Sequence, residues 1–196
     1  MQDFPELYVI RHGQTVWNAE GRHQGQLDSP LTDLGLAQAR DLGALLKAER
    51  SDWSGVAAYA SPTGRAARTA QIALDQIGLT ATHDDRLKEV AFGRWEGRTL
   101  EEIEADTPGC RAAFEADPLG FHFESPGGET LAQLMARCSS FLSDLSGPSI
   151  LVCHGITSRV LRSIVLDLDL DGMRALPGGQ GNIHHIANGR WRVIEN

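Results

Sequence analysis

Two stretches of the sequence decide the fold: Leu7-Tyr8-Val9-Ile10-Arg11-His12-Gly13 and Ile150-Leu151-Val152-Cys153-His154-Gly155. A short apolar run that stops at a polar residue and a glycine is typical of a buried strand that carries its last side chain to the rim of a sheet. Open α/β sheets bind ligands at that rim. The two runs therefore predict neighbouring strands whose histidines, His12 and His154, form one site.

Helical periodicity alternates with apolar runs in the first half of the chain. Thr32 is an N-cap residue for a helix that packs an apolar face, Ala39, Leu42, Leu45 and Leu46. A weak strand over residues 55–60 follows, and Ser61-Pro62 forms a turn into a helix from about Gly64 to Leu74. This part of the chain therefore predicts a βαβα unit.

The second half of the chain repeats this alternation. One helix face carries an apolar stripe, Leu131, Leu134, Met135, Cys138 and Leu142, and is expected to pack in the core. A strand over residues 149–153 and a helix with Val160, Leu161 and Ile164 come next. Two last runs, 183–187 and 191–194, are joined by Asn188-Gly189, the favoured tight hairpin turn.

These elements predict an α/β fold, a three-layer sandwich with a mostly parallel central sheet, helices on both faces and an antiparallel edge. Strands joined through helices form right-handed crossovers, which place successive strands side by side. Between about residues 92 and 128, glycines and prolines break the periodicity. We expect a single domain over residues 1–196 with a small lid insertion at 92–128.

Composition narrows the class of protein. The chain has 196 residues, 41% of them apolar, and a net charge of −8, which disfavours nucleic-acid and membrane surfaces. It has no apolar run of membrane-spanning length, and Met1–Glu6 lack a basic-then-apolar signal pattern. An odd count of three cysteines favours reduced thiols over disulfides. We expect a cytoplasmic protein; a homodimer is compatible with the sequence but has no support in it.

The neighbouring Arg11 indicates which kind of ligand the two histidines bind. Paired histidines bind metal ions, move protons or hold phosphate. A guanidinium beside the site would repel a divalent cation, whereas its planar fork matches the oxygens of a phosphoryl group in bidentate fashion. The arrangement favours a phosphate site over a metal site, set in a local positive pocket of an acidic protein.

Four motifs occur in an order that resembles a known family. They are Arg11-His12-Gly13-Gln14-Thr15 with Asn18 and Gln24-Gly25; Ser61-Pro62 with Arg65-Ala66; Glu89 with Phe92-Gly93 and Trp95-Glu96-Gly97; and His154-Gly155. This set resembles the histidine phosphatase superfamily, also called phosphoglycerate mutase-like. Gly155 follows the second histidine where the phytase branch has aspartate, which places the chain in the mutase and fructose-bisphosphatase type branch.

The resemblance implies a phosphomonoester hydrolase without a metal or other cofactor, acting on a small phosphorylated metabolite. His12 is the implied nucleophile, because a neutral imidazole can form a phosphohistidine that splits one displacement into two easier steps. Glu89 is the implied proton donor, with apolar neighbours expected to desolvate it. The other implied site residues surround or bind the phosphoryl group and the substrate: Arg11, Arg65, His154, Asn18, Thr15, Gln24, Gly25 and Gly155.

Competing interpretations apply to Glu89, to Cys153 and to the pair His184-His185. Glu89 lies in the charged run 84–89, which alone is typical of a solvated surface. Cys153 and Arg159 also satisfy the Cys-x5-Arg pattern of cysteine-based phosphatases, in which a thiolate attacks phosphorus. His184 and His185 point to opposite faces of a strand, so they do not form a chelating pair.

Within the family, hydrolysis is favoured over the mutase reaction. The chain is short, lacks the insertion and C-terminal tail typical of the mutases, and has Gln14 where mutases commonly have glutamate. A catalytically weak phosphoester-binding protein is a further alternative. Substrate selectivity is expected to come from the 92–128 segment, with His23 and His122 as additional candidate contacts.

Overall fold

Six strands form one sheet within residues 4–195, the part of the chain that this computed structural model describes. They are β1 (Leu7–Arg11), β2 (Ala57–Ala60), β3 (Thr82–His83), β4 (Ser149–Cys153), β5 (Ile183–Ala187) and β6 (Arg190–Ile194). The order across the sheet is β3-β2-β4-β1-β5-β6. The first four neighbours pair in parallel, and β5 and β6 add antiparallel. The predicted mostly parallel sheet with an antiparallel edge is confirmed.

The register of β1 and β4 brings the two His-Gly pairs together. Arg11 lies opposite Cys153, and the amide of His12 donates to the carbonyl of Cys153 at 3.0 Å. His12 and His154 therefore leave adjacent parallel strands at the same edge of the sheet. This is the edge at which α/β sheets bind their ligands.

Nine helices accompany the sheet within the described range: α1 (Val16–Ala19), α2 (Asp33–Glu49), α3 (Gly64–Leu74), α4 (Leu100–Asp106), α5 (Cys110–Ala116), α6 (Pro118–Phe121), α7 (Leu131–Ser143), α8 (Gly155–Val165) and α9 (Leu170–Ala175). Short 3-10 turns cover Asp75–Ile77, Asp85–Leu87 and Gly93–Trp95. Thr32 caps α2 as predicted, with its side chain accepting from the amide of Gly35. No helix in residues 4–195 combines the length and the apolar content that crossing a bilayer requires.

The side chains of β1 point alternately to the two faces of the sheet and so contribute to two separate core layers. Tyr8 and Ile10 pack with the apolar faces of α2 and α3, whereas Leu7 and Val9 pack with α7 and α8 on the opposite face. Successive strand side chains point to opposite faces, so both faces need a cover of helices. The three-layer sandwich is confirmed.

The predicted apolar stripe of α7 is wrong at one position. Met135 is 38% exposed, and Phe141, which the stripe omitted, is 1% exposed and packs in the core. Leu134, Cys138 and Leu142 are buried as expected. The helix buries a face that is rotated slightly from the predicted one.

The segment 92–128 contains the turn at Gly93–Trp95 and the short helices α4, α5 and α6. Trp95 and Phe121 stack at 4.4 Å between ring centroids and are buried in the same core layer as α7 and α8. Phe114, by contrast, lies on the wall of a cavity at the strand ends. One face of this segment belongs to the core, and the other faces the candidate site.

Candidate active site

His12 is held in one tautomer at the carboxyl end of β1. Its Nδ1 lies 2.7 Å from the carbonyl oxygen of Gly13, which can only accept, so Nδ1 carries the proton and Nε2 keeps its lone pair. The side chain is 2% exposed. Burial, followed by the charges of Arg11 and Arg65, lowers the pKa of His12 well below 6.5. The imidazole is therefore neutral and nucleophilic at neutral pH.

Arg65 is fixed in the first turn of α3 by the loop that follows α1. Its Nη2 donates to the carbonyl of Gly25 at 2.7 Å, and its Nη1 donates to the carbonyl of Leu27 at 2.5 Å and to Asp28 Oδ1 at 3.1 Å. The buried Nε has no protein partner. The guanidinium is held rigidly while its Nε–H stays available to an anion.

Gly25 lies in that loop at a position where both the backbone conformation and the surrounding space exclude a side chain. Its φ is +52°, and a Cβ there would lie 2.2 Å from Glu96 Oε1, which accepts from the amides of Gln26 and Phe92. We expect Gly25→Ala to displace Arg65, to lower kcat/KM at least about tenfold, and to destabilise the fold by about 2 kcal/mol. Phosphate release and urea unfolding measure the two effects.

Gly55→Ala is the matched control, because Gly55 also has a positive φ, +78°, but its Cβ would meet no atom within 4 Å. It should cost stability through backbone strain alone, about 1 kcal/mol, and leave kcat/KM unchanged. Equal activities of the two variants would show that the Gly25 loop does not position Arg65.

Arg11 lies beside the first residue of α8. A Cβ at Gly155 would be in van der Waals contact with the Arg11 guanidinium, 3.4 Å from Cζ. The buried Nε of Arg11 has no protein partner. Burial lowers the pKa of Arg11, and the nearby carboxylate of Glu89 opposes that effect. Arg11 and Arg65 thus present unpartnered N–H groups next to His12.

His154 is fully buried and does not line the cavity. Its Nε2 lies 2.8 Å from the Ser61 hydroxyl and 3.3 Å from that of Thr63, and its Nδ1 has no partner. The ring stands edge-on to His12 at 5.1 Å between centroids. Burial and the surrounding charges lower its pKa well below 6.5. The structure therefore places His154 against the ring of His12, outside the lining of the cavity.

Glu89 is bound by the N-terminus of α8. Its Oε1 accepts from the amides of Val90 and Thr157 and from the Thr157 hydroxyl, at 3.0–3.1 Å. Its Oε2 accepts from the amide of Ile156 at 3.1 Å. Glu89 is 8% exposed and precedes the expected apolar neighbours, Val90 and Phe92, which are themselves buried, but backbone amides form a polar cradle around its carboxylate. Oε2 has the fewer partners, which leaves it the oxygen free to exchange a proton.

The predicted substrate-binding residues divide into two groups. Asn18, Gln24, Gly25 and Gly155 line the cavity. Asn18 Oδ1 accepts from the Thr15 amide and from Gln180 Nε2, so its NH2 group is free to donate. Thr15 is buried away from the cavity and caps α1 by accepting from the Asn18 amide. Thr15 therefore positions Asn18 and has no contact with the cavity.

The cavity at the strand ends has a volume of about 520 Å³. His12, Arg11, Arg65 and Glu89 meet in it. One side is aromatic, formed by His23, Phe92, Phe114 and His122. Two further arginines, Arg159 and Arg162, line the cavity next to His184, and none of the three was predicted to lie at the site. Arg159 was noted only in the Cys-x5-Arg pattern, and His184 only as part of a pair that does not chelate a metal.

His184 makes stability depend on pH. Burial, followed by the charges of Arg162 and Arg159, lowers its pKa from 6.5 to about 4. Between these values the unfolded chain binds the extra proton, so the free energy of unfolding falls as the pH falls. Between pH 7 and pH 5 we expect the titration of His184 to lower the free energy of unfolding by about 2 kcal/mol. Urea unfolding should show that the stability difference between wild type and His184→Asn shrinks by this amount; a constant difference would contradict it.

Cys153 does not reach the cavity. It is fully buried, and burial together with the carboxylate of Glu89 raises the pKa of its thiol far above the ordinary range. A nucleophilic thiolate needs the opposite environment, partly exposed and electropositive. The structure gives no support to a cysteine-based reaction.

Comparison with known proteins adds to this geometry. The histidine phosphatase superfamily (branch 1) matches residues 7–195. The chain belongs to this superfamily. A probable phosphoglycerate mutase GpmB of Yersinia pestis (strain Pestoides F) is 35% identical over 177 residues, which are 87% of this chain and 79% of that protein. The predicted resemblance is confirmed.

Two solved structures share the fold over nearly the whole chain. The mycobacterial glucosyl-3-phosphoglycerate phosphatase is 31% identical, with a TM-score of 0.77 over 98% of both chains. Bacillus stearothermophilus YhfR is 32% identical, with a TM-score of 0.78 over 96% of this chain and 95% of that one. The chain is thus an enzyme of phosphatase or mutase type.

Proposed function

We propose that this protein hydrolyses a phosphomonoester through a phosphohistidine on His12. The observation that supports this most strongly is the state of the imidazole, with Nδ1 donating to the Gly13 carbonyl and Nε2 free and neutral. A neutral nitrogen lone pair next to two guanidinium groups is suited to attack phosphorus.

The first step forms the Nε2–P bond of His12 as the P–O bond of the ester breaks. Glu89 Oε2 gives its proton to the leaving oxygen, because an unprotonated alkoxide leaves poorly. Arg11 and Arg65 stabilise the charge on the transferred group. In the second step Glu89 takes a proton from water, the new P–O bond forms as the N–P bond breaks, and inorganic phosphate leaves.

The segment 92–128 would set the choice of ester. It contributes Leu100, Phe114 and His122 to the cavity wall. Burial lowers the pKa of His122 to about 3, so its imidazole is neutral at neutral pH. We infer that it packs against the organic part of a small phosphorylated metabolite and acts as a lid.

The mutase reaction is the second candidate, because the curated relative is named a probable phosphoglycerate mutase. The two reactions share the phosphohistidine and differ in what attacks it, water or a second substrate hydroxyl. Hydrolysis is our choice, since a structural neighbour of similar identity and nearly complete coverage is a phosphatase.

The experiment measures phosphate release from sugar phosphates, phosphoglycerates, nucleotides and aryl phosphates, with and without a chelator. A parallel assay follows isomerisation of phosphoglycerate with and without a bisphosphoglycerate primer. We expect chelator-resistant phosphate release without primer. Primer-dependent isomerisation with negligible phosphate release would establish the mutase reaction, and tight binding without any turnover would establish a binding protein.

A further inference from the structure

A second group of cations lies in the cavity, separate from those around His12. The group consists of Arg159 and Arg162, which project from α8; His184, which is neutral at neutral pH, projects from β5 next to them. Arg162 lies seven residues beyond Gly155, which is about 10 Å along the helix axis. Arg11 packs against Gly155. The second group is therefore displaced along α8 from the phosphoryl site.

Arg162 is buried and incompletely bonded. It is 1% exposed. Its Nε donates to the Ser158 carbonyl at 3.1 Å and its Nη2 to the Pro177 carbonyl at 2.9 Å, while Nη1 has no partner. The buried Nδ1 of His184 also has no partner. Burial lowers the pKa of Arg162 only to about 10, so it remains a cation at neutral pH.

No carboxylate within the described residues 4–195 forms an ion pair with Arg159 or Arg162. The chain is acidic, with a net charge of −8, and many of its arginines form ion pairs: Arg22, Arg86, Arg98, Arg111, Arg137 and Arg174. Within residues 4–195, neither Arg159 nor Arg162 has an ion-pair partner. Instead, Arg159 Nη1 donates to the carbonyl of Arg174 at 3.0 Å.

A buried cation without a counter-charge is costly, and an anionic ligand removes that cost. We propose that the substrate carries a second anionic group, a carboxylate or a second phosphoryl group, which binds Arg159 and Arg162 while its ester phosphate binds at His12. The position of the phosphate rests on the proposed function; the second anion site rests on the two arginines alone. Arg159 and Arg162 would thus determine substrate specificity.

The test uses phosphonates, which cannot be hydrolysed. ω-Phosphonocarboxylates with two to four methylene groups are compared by calorimetry with alkylphosphonates in which a methyl group replaces the carboxylate. The α,ω-bisphosphonates of the same lengths form the third series. We expect at least one doubly anionic ligand to bind wild type about tenfold or more tightly than its methyl partner. The tighter of the two doubly anionic series identifies the second group.

Three variants test whether Arg159 and Arg162 cause the preference for doubly anionic ligands. Arg159→Gln and Arg162→Gln should bring the affinity ratio towards one, and Arg162→Lys should restore part of it because it keeps the charge. Arg192→Gln is the control, since Arg192 is exposed, paired with Glu49, and outside the cavity. It should keep the wild-type ratio. Thermal unfolding of each variant identifies any that do not fold.

Two results would overturn the proposal: a ratio near one in wild type at every length and in both series, or a preference that survives both glutamine variants. Because binding is measured without turnover, the outcome is independent of the reaction. If the phosphonate preference is present while phosphate release does not depend on His12, the proposed function fails and the second anion site stands.

Discussion

Replacing His12 with alanine is expected to lower kcat for phosphate release by at least about 10⁴-fold, the effect typical of removing a covalent nucleophile. Arg11 and Arg65 would still bind the phosphoryl group, so KM should change much less than kcat. Wild-type enzyme quenched in alkali during turnover should carry a phosphoryl group on His12, and acid should release it. The variant should carry none.

His83→Ala is the matched control, because His83 is exposed on β3, remote from the cavity. Its turnover should equal that of wild type. Turnover that survives in His12→Ala, or a phosphoryl label on another residue, would move the nucleophile away from His12 and overturn the proposed mechanism.

The fold was largely predictable from local sequence signals. The run Leu7–Ile10 can only be buried on both faces, so its place in the middle of a helix-covered sheet follows from its composition. The turn at Asn188-Gly189 has φ of +53° and +69°, as the predicted hairpin requires. The start of α2 at Thr32 was predictable for an equally local reason, because the Thr32 side chain accepts a hydrogen bond from the Gly35 amide.

The contacts of the site were less predictable, because they join residues that are far apart in the chain. Glu89 lies in a charged run, yet it is bound by Ile156 and Thr157, which are 67 and 68 residues away. Nothing in either segment alone indicates this pairing. Arg162 was missed for a related reason, since its burial depends on the loop at Pro177 that closes over it.

The helix turn that binds Glu89 begins directly after His154. The amides of Ile156 and Thr157 belong to the first turn of α8, which follows His154 directly. A helix N-terminus attracts a carboxylate through its free amides and its dipole. The same turn therefore binds Glu89, the proposed proton donor, lies beside Arg11 at Gly155, and directly follows His154.

Glu89→Gln is expected to lower kcat for alkyl phosphates by about 10²- to 10⁴-fold, because no group remains to protonate the leaving oxygen. For p-nitrophenyl phosphate the loss should be less than about tenfold, since a nitrophenolate leaves without a proton. The amide also places an N–H donor among the amide donors of α8, which should cost about 1–3 kcal/mol of stability. Activity on the two esters and urea unfolding measure these effects separately.

Glu124→Gln is the control, because Glu124 is exposed and outside the cavity. It should leave both activities and the free energy of unfolding unchanged. A loss in Glu89→Gln that is equal for the alkyl and nitrophenyl esters would mean that Glu89 only positions α8 and donates no proton. A loss confined to the alkyl esters separates the two roles, because a displaced helix would impair both reactions equally through Arg11.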